Sequence, residues 1–282
     1  MMSDIARVSV HGCHSREFCG HAADLLEDIL EAYADQGYKW VGVTEHMPAH
    51  VSEMILFEEA EEGQTIEDLD KRFANYAAKI AELKAQLAGR LDVIFGFETE
   101  VYEGYETQLQ RLIDTYEPEY IVGSVHFVRG LSIDGPPEEH ARAAETVGGY
   151  NALYCEYFDL QLELIEQFKP RVVGHFDLIR LRDPNFAERF DSQDVWACVE
   201  RNLEAVRESG AILDFNIAGY RKGLSEPYPY ERIARHAIEM GIPLVPGEDA
   251  HSVEDVGVNR DKGVTWLQSL GANCDWPDPR SR

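Results

Sequence analysis

"KWVGVTEH" fills residues 39–46, a mostly apolar run rich in Val that passes without a turn residue into an acid and a histidine. The same design recurs along the chain. Runs at 7–11 (RVSVH), 91–98 (LDVIFGFE), 120–127 (YIVGSVHF), 171–177 (RVVGHFD), 211–216 (AILDFN) and 242–249 (IPLVPGED) are rich in Val and Ile and apolar nearly throughout. A strand with one wet face alternates polar and apolar residues, whereas a strand covered on both faces does not. The pattern therefore predicts buried parallel strands.

Helical patterns separate them. In "AADLLEDILEAYADQGY" (22–38), Leu25, Leu26, Ile29, Leu30 and Tyr33 share one face, Asp24 with Glu27 offers a capping box, and Gly37 stands where the helix should stop. Residues 66–88, 147–168, 193–209 and 230–240 carry similar patterns. Strand–helix alternation repeated about seven times predicts one parallel α/β domain over residues 1–282, most simply a barrel. The acidic stretch 47–70 reads as an insertion able to cover the rim as a lid, and 272–282 as a C-terminal tail.

Composition narrows the functional classes. The chain has 282 residues, 44% of them hydrophobic, enough for a sizeable core. It holds no apolar run of membrane-spanning length, and its N-terminal residues lack the basic and apolar regions of a secretory leader, so a soluble cytoplasmic protein is expected. Five scattered cysteines, Cys13, Cys19, Cys155, Cys198 and Cys274, suggest no disulfide framework; Cys155 and Cys198 are expected in helices against the core. A net charge of −26 argues against nucleic-acid binding, and the acidity of 47–70 disfavours bulky polyanions. Oligomeric state is not legible.

The strand ends carry the chemistry. Most finish on a residue able to bind metal: His11, His46, Glu98, His126, His175 and Asp249. In α/β barrels the C-terminal strand ends converge on one rim, where active sites are built. The stretch "HGCHSREFCGH" (11–21) adds His14 and His21, and His251 follows Asp249 by two residues. His50, His140 and His236 lie outside the pattern and are expected to be structural, with Cys13 and Cys19 bystanders. Imidazoles and carboxylates without a thiolate cage suit catalytic Zn, Mn or Fe, and Glu98 is placed to bridge two ions. Metal-assisted hydrolysis is the expected chemistry.

The ordered series "HGCHS…CGHA", "GVTEHMP", "FGFETE", "GSVHFVRG", "VVGHFDLI", "NIAGYRKGLSEPYP" and "GEDAHSVEDVG" resembles the motifs of the PHP (polymerase and histidinol phosphatase) superfamily, in particular its histidinol-phosphatase branch. The resemblance implies a distorted (β/α)7 barrel with two to three divalent ions at the C-terminal ends of its strands. It implies that His14, Glu98 and Asp249 bind the first ion, joined by His11 if the backbone allows. Glu98, His126 and His175 would bind the second, and His21, His46 and His251 the third. A metal-bridging hydroxide would then attack a phosphomonoester in line, with L-histidinol phosphate the best single substrate.

One departure stands out. The family pattern His-x-His meets Gly12 here, with His11 one residue out of step, which on a strand means the opposite face. Either a bulge returns His11 to the site, or that ligand is missing, or Cys13 takes its place; a bulge is favoured. A second departure is Glu248 before Asp249, either a partner of a ligating histidine or a loop residue.

Arg129, Arg221, Lys222 and Arg16 are the expected substrate contacts, since a phosphate needs cationic donors beyond the metals. Asp177 is read as a general acid or ligand-orienting group, with a helix N-cap as its structural alternative. Tyr220 and Tyr228 are candidates to pack on a flat substrate part. Two other readings remain: a PHP-type phosphoesterase for a nucleotide, sugar phosphate or phosphodiester, and a metal-binding module without catalysis.

Overall fold

Each apolar run supplies a strand because Val and Ile stack well on a pleated surface; helices cover one face, and the strands' own side chains bury the other. The computed structural model describes residues 5–281; the first four residues, part of the N-terminus read above as leaderless, and Arg282 of the tail lie outside them. The strands are β1 (Arg7–Cys13), β2 (Tyr38–Val43), β3 (Asp92–Phe95), β4 (Val122–Gly123), β5 (Phe127–Val128), β6 (Leu131–Ser132), β7 (Val172–Val173), β8 (Ile212–Asn216) and β9 (Leu244–Gly247). β5 and β6 form a small antiparallel hairpin. The others form two parallel sheets, ordered β1-β2-β3 and β4-β7-β8-β9, in a mixed α/β fold.

Hydrogen bonds cross both gaps between the sheets. Val122 N donates to Phe97 O (2.9 Å) and Thr99 N to Val122 O (2.9 Å) on one side. On the other, Glu248 N donates to His11 O (2.7 Å), Ala250 N to Gly12 O (2.8 Å) and His14 N to Ala250 O (2.9 Å). Between the sheets lies a small apolar cluster of Val8, Val10, Trp40, Ile94, Tyr120, Val122, Val172, Ile212 and Val245. The Tyr120 ring reaches its centre and donates its hydroxyl to Val10 O at 2.5 Å. Gly42 makes the room: a Cβ there would sit 1.6 Å from the Tyr120 hydroxyl oxygen.

The helices are α1 (Leu26–Asp35), α2 (Phe57–Glu61), α3 (Ile66–Gln86), α4 (Tyr105–Tyr116), α5 (Pro137–Val147), α6 (Tyr150–Phe168), α7 (Phe186–Asp191), α8 (Gln193–Ser209), α9 (Ala218–Arg221), α10 (Glu231–Glu239) and α11 (Arg260–Ser269). Their apolar faces form the larger core cluster against the strands. Three expectations change. Leu25 is exposed rather than packed, and the Asp24–Glu27 box does not form: Leu26 N donates to Glu17, while Asp24 accepts from Val253 N across the loop. The predicted helix 147–168 is α6 and starts later, at Tyr150, because Gly148 and Gly149 take φ of +95° and +128° and separate it from α5. α4 and α11 were not foreseen, their exposed faces being too polar to register as periodic apolar runs. Cys155 and Cys198 sit half-buried on α6 and α8, against the core as expected, and all five cysteines are free.

Candidate active site

The first motif is built by an irregularity. β1 pairs with β2 at Ser9↔Val41 and next at Cys13↔Val43, so four steps on β1 face two on β2. The extra residues re-aim the chain. A Cβ on Gly12 would sit 2.4 Å from Gly42 O, which explains why no side chain stands there. His11 is thereby turned into the site, fully buried, with Nδ1 2.9 Å from Asp214 Oδ2 and Nε2 3.4 Å from Glu98 Oε2. Gly247 completes the fit: a Cβ there would meet Asp214 Oδ1 at 1.9 Å. Cys13 faces the apolar core instead, where burial, then Glu45, pushes its thiol well above the usual range. Its intrusion into the site is excluded.

Glu98 stands at the centre. His14 Nε2 lies 3.5 Å from Glu98 Oε2 and 3.4 Å from Asp249 Oδ1. His46 Nδ1 lies 3.3 Å from Glu98 Oε2. The second oxygen, Oε1, faces His175 Nε2 at 2.8 Å and His126 Nε2 at 3.5 Å. Further out, His21 Nε2 and His251 Nε2 approach to 3.1 Å, and His251 stacks on His14. Asp249 adopts a φ of +48°, a backbone strain of the kind that gathers at functional sites.

The electrostatics leave the carboxylates ionised. Burial alone would raise the Glu98 carboxyl, but His11 and His126 outweigh it and hold it well below its ordinary value. For Asp249 burial likewise opposes, and Lys222 and His14 win. His14 is driven the other way, by burial and then by His46, so its imidazole is neutral. His11 Nε2 and both His14 ring nitrogens are buried without a hydrogen-bond partner. Unpartnered imidazole nitrogens converging with two ionised carboxylates form a donor set that fits a divalent cation. Three groups bring their donor atoms within 4.8 Å of one another: His11, His14 and Asp249; His11, Glu98 and His175; and His14, Cys19, His46 and His251.

Around these ligand candidates stand residues that the sequence did not single out. Glu100 accepts from, or pairs with, both His46 Nδ1 (2.9 Å) and His126 Nδ1 (2.8 Å). Asp214, besides His11, accepts from His175 N (3.2 Å) and Asn216 Nδ2 (2.9 Å). Glu45 accepts from Ser15 N and its hydroxyl, and burial pushes its carboxyl up to about 8. The available signals were small: Glu100 follows Glu98 by two residues, and Asp214 interrupts an otherwise apolar strand.

An open cavity of about 790 Å³ lies over this floor. Met54, Ile55, Leu56 and Phe57 wall one side, and Gly130, Ser132, Asp134 and Gly135 the other. Of the basic residues expected there, Lys222 lines the cavity, with Nζ 3.4 Å from Asp249 Oδ2. Arg129 is surface-exposed and paired with Glu156, because its φ of +55° swings it outward. Arg16 is exposed and outside the cavity wall. Arg221 points beneath the site, donating to Glu248 O (2.9 Å) and Asp249 O (2.8 Å) and pairing with Asp255. It holds the backbone of Asp249 rather than facing the cavity. Arg182, unforeseen, does line the cavity.

Asp177 is also outside the cavity. It is fully buried, with Oδ2 accepting from Arg180 Nε and Tyr230 N (both 2.8 Å), and makes no N-cap bond. Tyr228 is buried under the Arg180 guanidinium, and Tyr220 lies beneath Lys262. Glu248 is bound by the Tyr38 hydroxyl and Gly257 N, on the far side of the strand from the ligand candidates. His140 Nε2 donates to Ile179 O, His50 pairs with Tyr102, and His236 lies by Trp196.

A chain that folds as parallel strands, with histidines and acids gathered at their C-terminal ends, matches the model of the PHP domain over residues 11–218, and it belongs to that family. It is 33% identical to the probable histidinol-phosphatase of Schizosaccharomyces pombe, over 94% of this chain and 87% of that one. The histidinol-phosphatase of Bacillus subtilis is 28% identical, over 85% and 92% respectively. Among solved structures, the putative histidinol phosphatase of Listeria monocytogenes superposes with a TM-score of 0.79 at 27% identity, covering 91% of this chain and 99% of that one. The Lactococcus lactis histidinol phosphate phosphatase, solved with zinc, L-histidinol and phosphate, shares the fold at a TM-score of 0.67 and 16% identity, over 95% and 94%.

Proposed function

We propose that this chain is a metal-dependent phosphomonoesterase that hydrolyses L-histidinol phosphate to L-histidinol and phosphate. The observation that carries the reading is the convergence of the unpartnered His11 and His14 nitrogens on Glu98 and Asp249, in a chain similar to histidinol-phosphatases over nearly its full length.

Two to three divalent ions (Zn, Mn or Fe) would be held as follows: the first by His11, His14, Glu98 and Asp249, the second by Glu98, His126 and His175, the third by His21, His46 and His251. When bound, such ions supply Lewis acidity to phosphoryl oxygens and make water a nucleophile at neutral pH. Asp214 fixes the His11 tautomer by accepting a hydrogen bond from Nδ1–H, leaving Nε2 to ligate. Glu100 does the same for His126, and Arg221 locks the carbonyls of Glu248 and Asp249 so that the Asp249 carboxylate stays aimed at the site. Lys222 and Arg182 are the cations that face a bound phosphate.

The cavity suits the rest of the substrate. Glu53, Glu58, Asp134 and Glu139 line it and complement an ammonium group, while Met54, Leu56 and the exposed Phe57 offer apolar surface to an imidazole. Residues 47–70 act as a lid. The two sheets close into a distorted (β/α)7 barrel, a reading supported by the bonds across both seams and by an inner cluster fed by all seven parallel strands. A cytoplasmic location agrees with five free cysteines, and no described helix is long and apolar enough to cross a membrane. The net charge of −26 argues against a nucleic-acid partner.

Purified protein loaded with manganese or zinc is to be assayed against L-histidinol phosphate, nucleoside monophosphates, sugar phosphates and a phosphodiester. The expected result is a kcat/KM for L-histidinol phosphate at least tenfold above any other. Preference for another member would transfer the function to that substrate. Inactivity on all, with no stoichiometric metal bound, would overturn the enzymatic reading.

A further inference from the structure

The outermost ligand group contains an atom with no part in the assignment above. Cys19 is buried, 1% exposed, at the end of a tight turn in which its amide donates to Ser15 O at 2.7 Å. Its Sγ lies 3.3 Å from His21 Nε2, which is itself 3.1 Å from His251 Nε2. Cys19 also shares a cluster with His14, His46 and His251 in which every donor atom lies within 4.8 Å of the others. His46 in that cluster has a buried Nε2 with no hydrogen-bond partner, while His14 is the ligand assigned above to the first ion.

The two edges that meet at His21 have the length of edges in a coordination polyhedron. Zinc–nitrogen bonds of about 2.0–2.1 Å and zinc–sulfur bonds of about 2.3 Å give tetrahedral edges of roughly 3.3 Å between nitrogens and 3.6 Å between nitrogen and sulfur. The observed 3.1 and 3.3 Å edges need only a few tenths of an ångström of expansion. Cys13, by contrast, belongs to the apolar core and to none of the ligand groups.

We propose that Cys19 ligates the third metal ion as a thiolate, completing a sulfur-containing site with His21, His46 and His251. Binding forms a metal–sulfur bond and breaks the S–H bond, releasing one proton to solvent for each chain loaded. The consequence is a division of labour. The first two positions offer only nitrogen and oxygen and accept Mn, Fe or Zn, whereas the third selects for thiophilic ions. Mixed loading of one chain follows from this.

The inference rests on the metal assignment made under the proposed function, and the test separates the two. The protein is stripped with chelator and reloaded with cobalt(II) alone. Expected are visible d–d bands together with a near-ultraviolet sulfur-to-cobalt charge-transfer band, which is lost in Cys19→Ser and retained in Cys155→Ser. Cobalt content after dialysis is expected to fall from about three ions per chain to about two in Cys19→Ser. X-ray absorption at the cobalt edge of the wild-type protein keeps the test independent of how the variant folds: a sulfur shell near 2.3 Å is expected. Cobalt bound with only nitrogen and oxygen neighbours, or a band unchanged in Cys19→Ser, would overturn the thiolate ligand and leave the metal site standing. Failure to bind cobalt would overturn both.

Discussion

Restoring a histidine at position 12, where the family pattern has one, should damage this protein rather than improve it. The Gly12 Cα–H points at the neighbouring strand: an added Cβ would meet Gly42 O at 2.4 Å and Val41 Cγ1 at 2.5 Å. Ordinary contact lies near 3.5–4.0 Å, so either β1 or β2 must retreat by about 1 Å. β2 cannot yield freely, because Gly42 is pressed from its other side by Tyr120. Overpacking of this kind costs about 1–3 kcal/mol for a methyl group in a tight core, and an imidazole costs at least the upper value. With an unfolding entropy of about 2.1 cal/mol/K per residue, 3 kcal/mol lowers the Tm of a chain this long by roughly 5 °C. Metal-free Gly12→Ala and Gly12→His are to be melted by circular dichroism beside the wild type, and zinc binding measured by chelator competition. The histidine variant should melt lower and bind zinc no more tightly. An unchanged Tm with a gain in zinc affinity would refute the reasoning, since it would mean that position 12 faces the metals after all.

Four shorter expectations test the surrounding shell. Asp214→Asn should cut zinc affinity about 10- to 100-fold in chelator competition, because the His11 Nδ1–H loses its charged acceptor. Arg221→Ala should lower metal retention on dialysis, whereas Arg129→Ala, at an exposed ion pair, should leave kcat/KM within about twofold. Lys222→Met should raise KM for the phosphoester by about tenfold, the loss of one charged contact, with metal content preserved. The last concerns pH. Glu45 is held up to about 8 in the folded state by burial, above its unfolded value near 4.5. The folded protein therefore binds the extra proton between those values, and this contribution to stability is present below pH 4.5 and lost as the pH rises through 8. Denaturant titrations of metal-free Glu45→Gln and wild type should diverge across that window, the variant gaining by at most about 1.4 kcal/mol per pH unit. Parallel curves would refute the buried, protonated carboxyl.

Strand burial was legible because hydrophobic pattern is local: "KWVGVTEH" announces both a covered strand and the residues beyond its end. Ligand types at strand ends were legible for the same reason, since the parallel α/β topology turns a sequence regularity into one rim. What stayed hidden depends on contacts between segments far apart in the chain. Asp214 reads as an odd acid in a strand until His11, 203 residues earlier, is seen 2.9 Å away. Arg221 looks like a phosphate ligand by composition, and only the fold shows its guanidinium bonded to the carbonyls of Glu248 and Asp249. Cys19 reads as a bystander in the sequence because His46 and His251 lie far along the chain, yet the fold brings its sulfur within 4.8 Å of donor atoms of His14, His46 and His251. The out-of-step His11 joins both kinds of information. Sequence alone poses the choice between bulge and missing ligand, and the oxygen of Gly42, pressed against Gly12, decides it: the strand has no space for a side chain there, so the extra residues must loop and the histidine must turn inward. A ligand pattern can therefore shift by one residue and keep its geometry, provided that a glycine takes the vacated place.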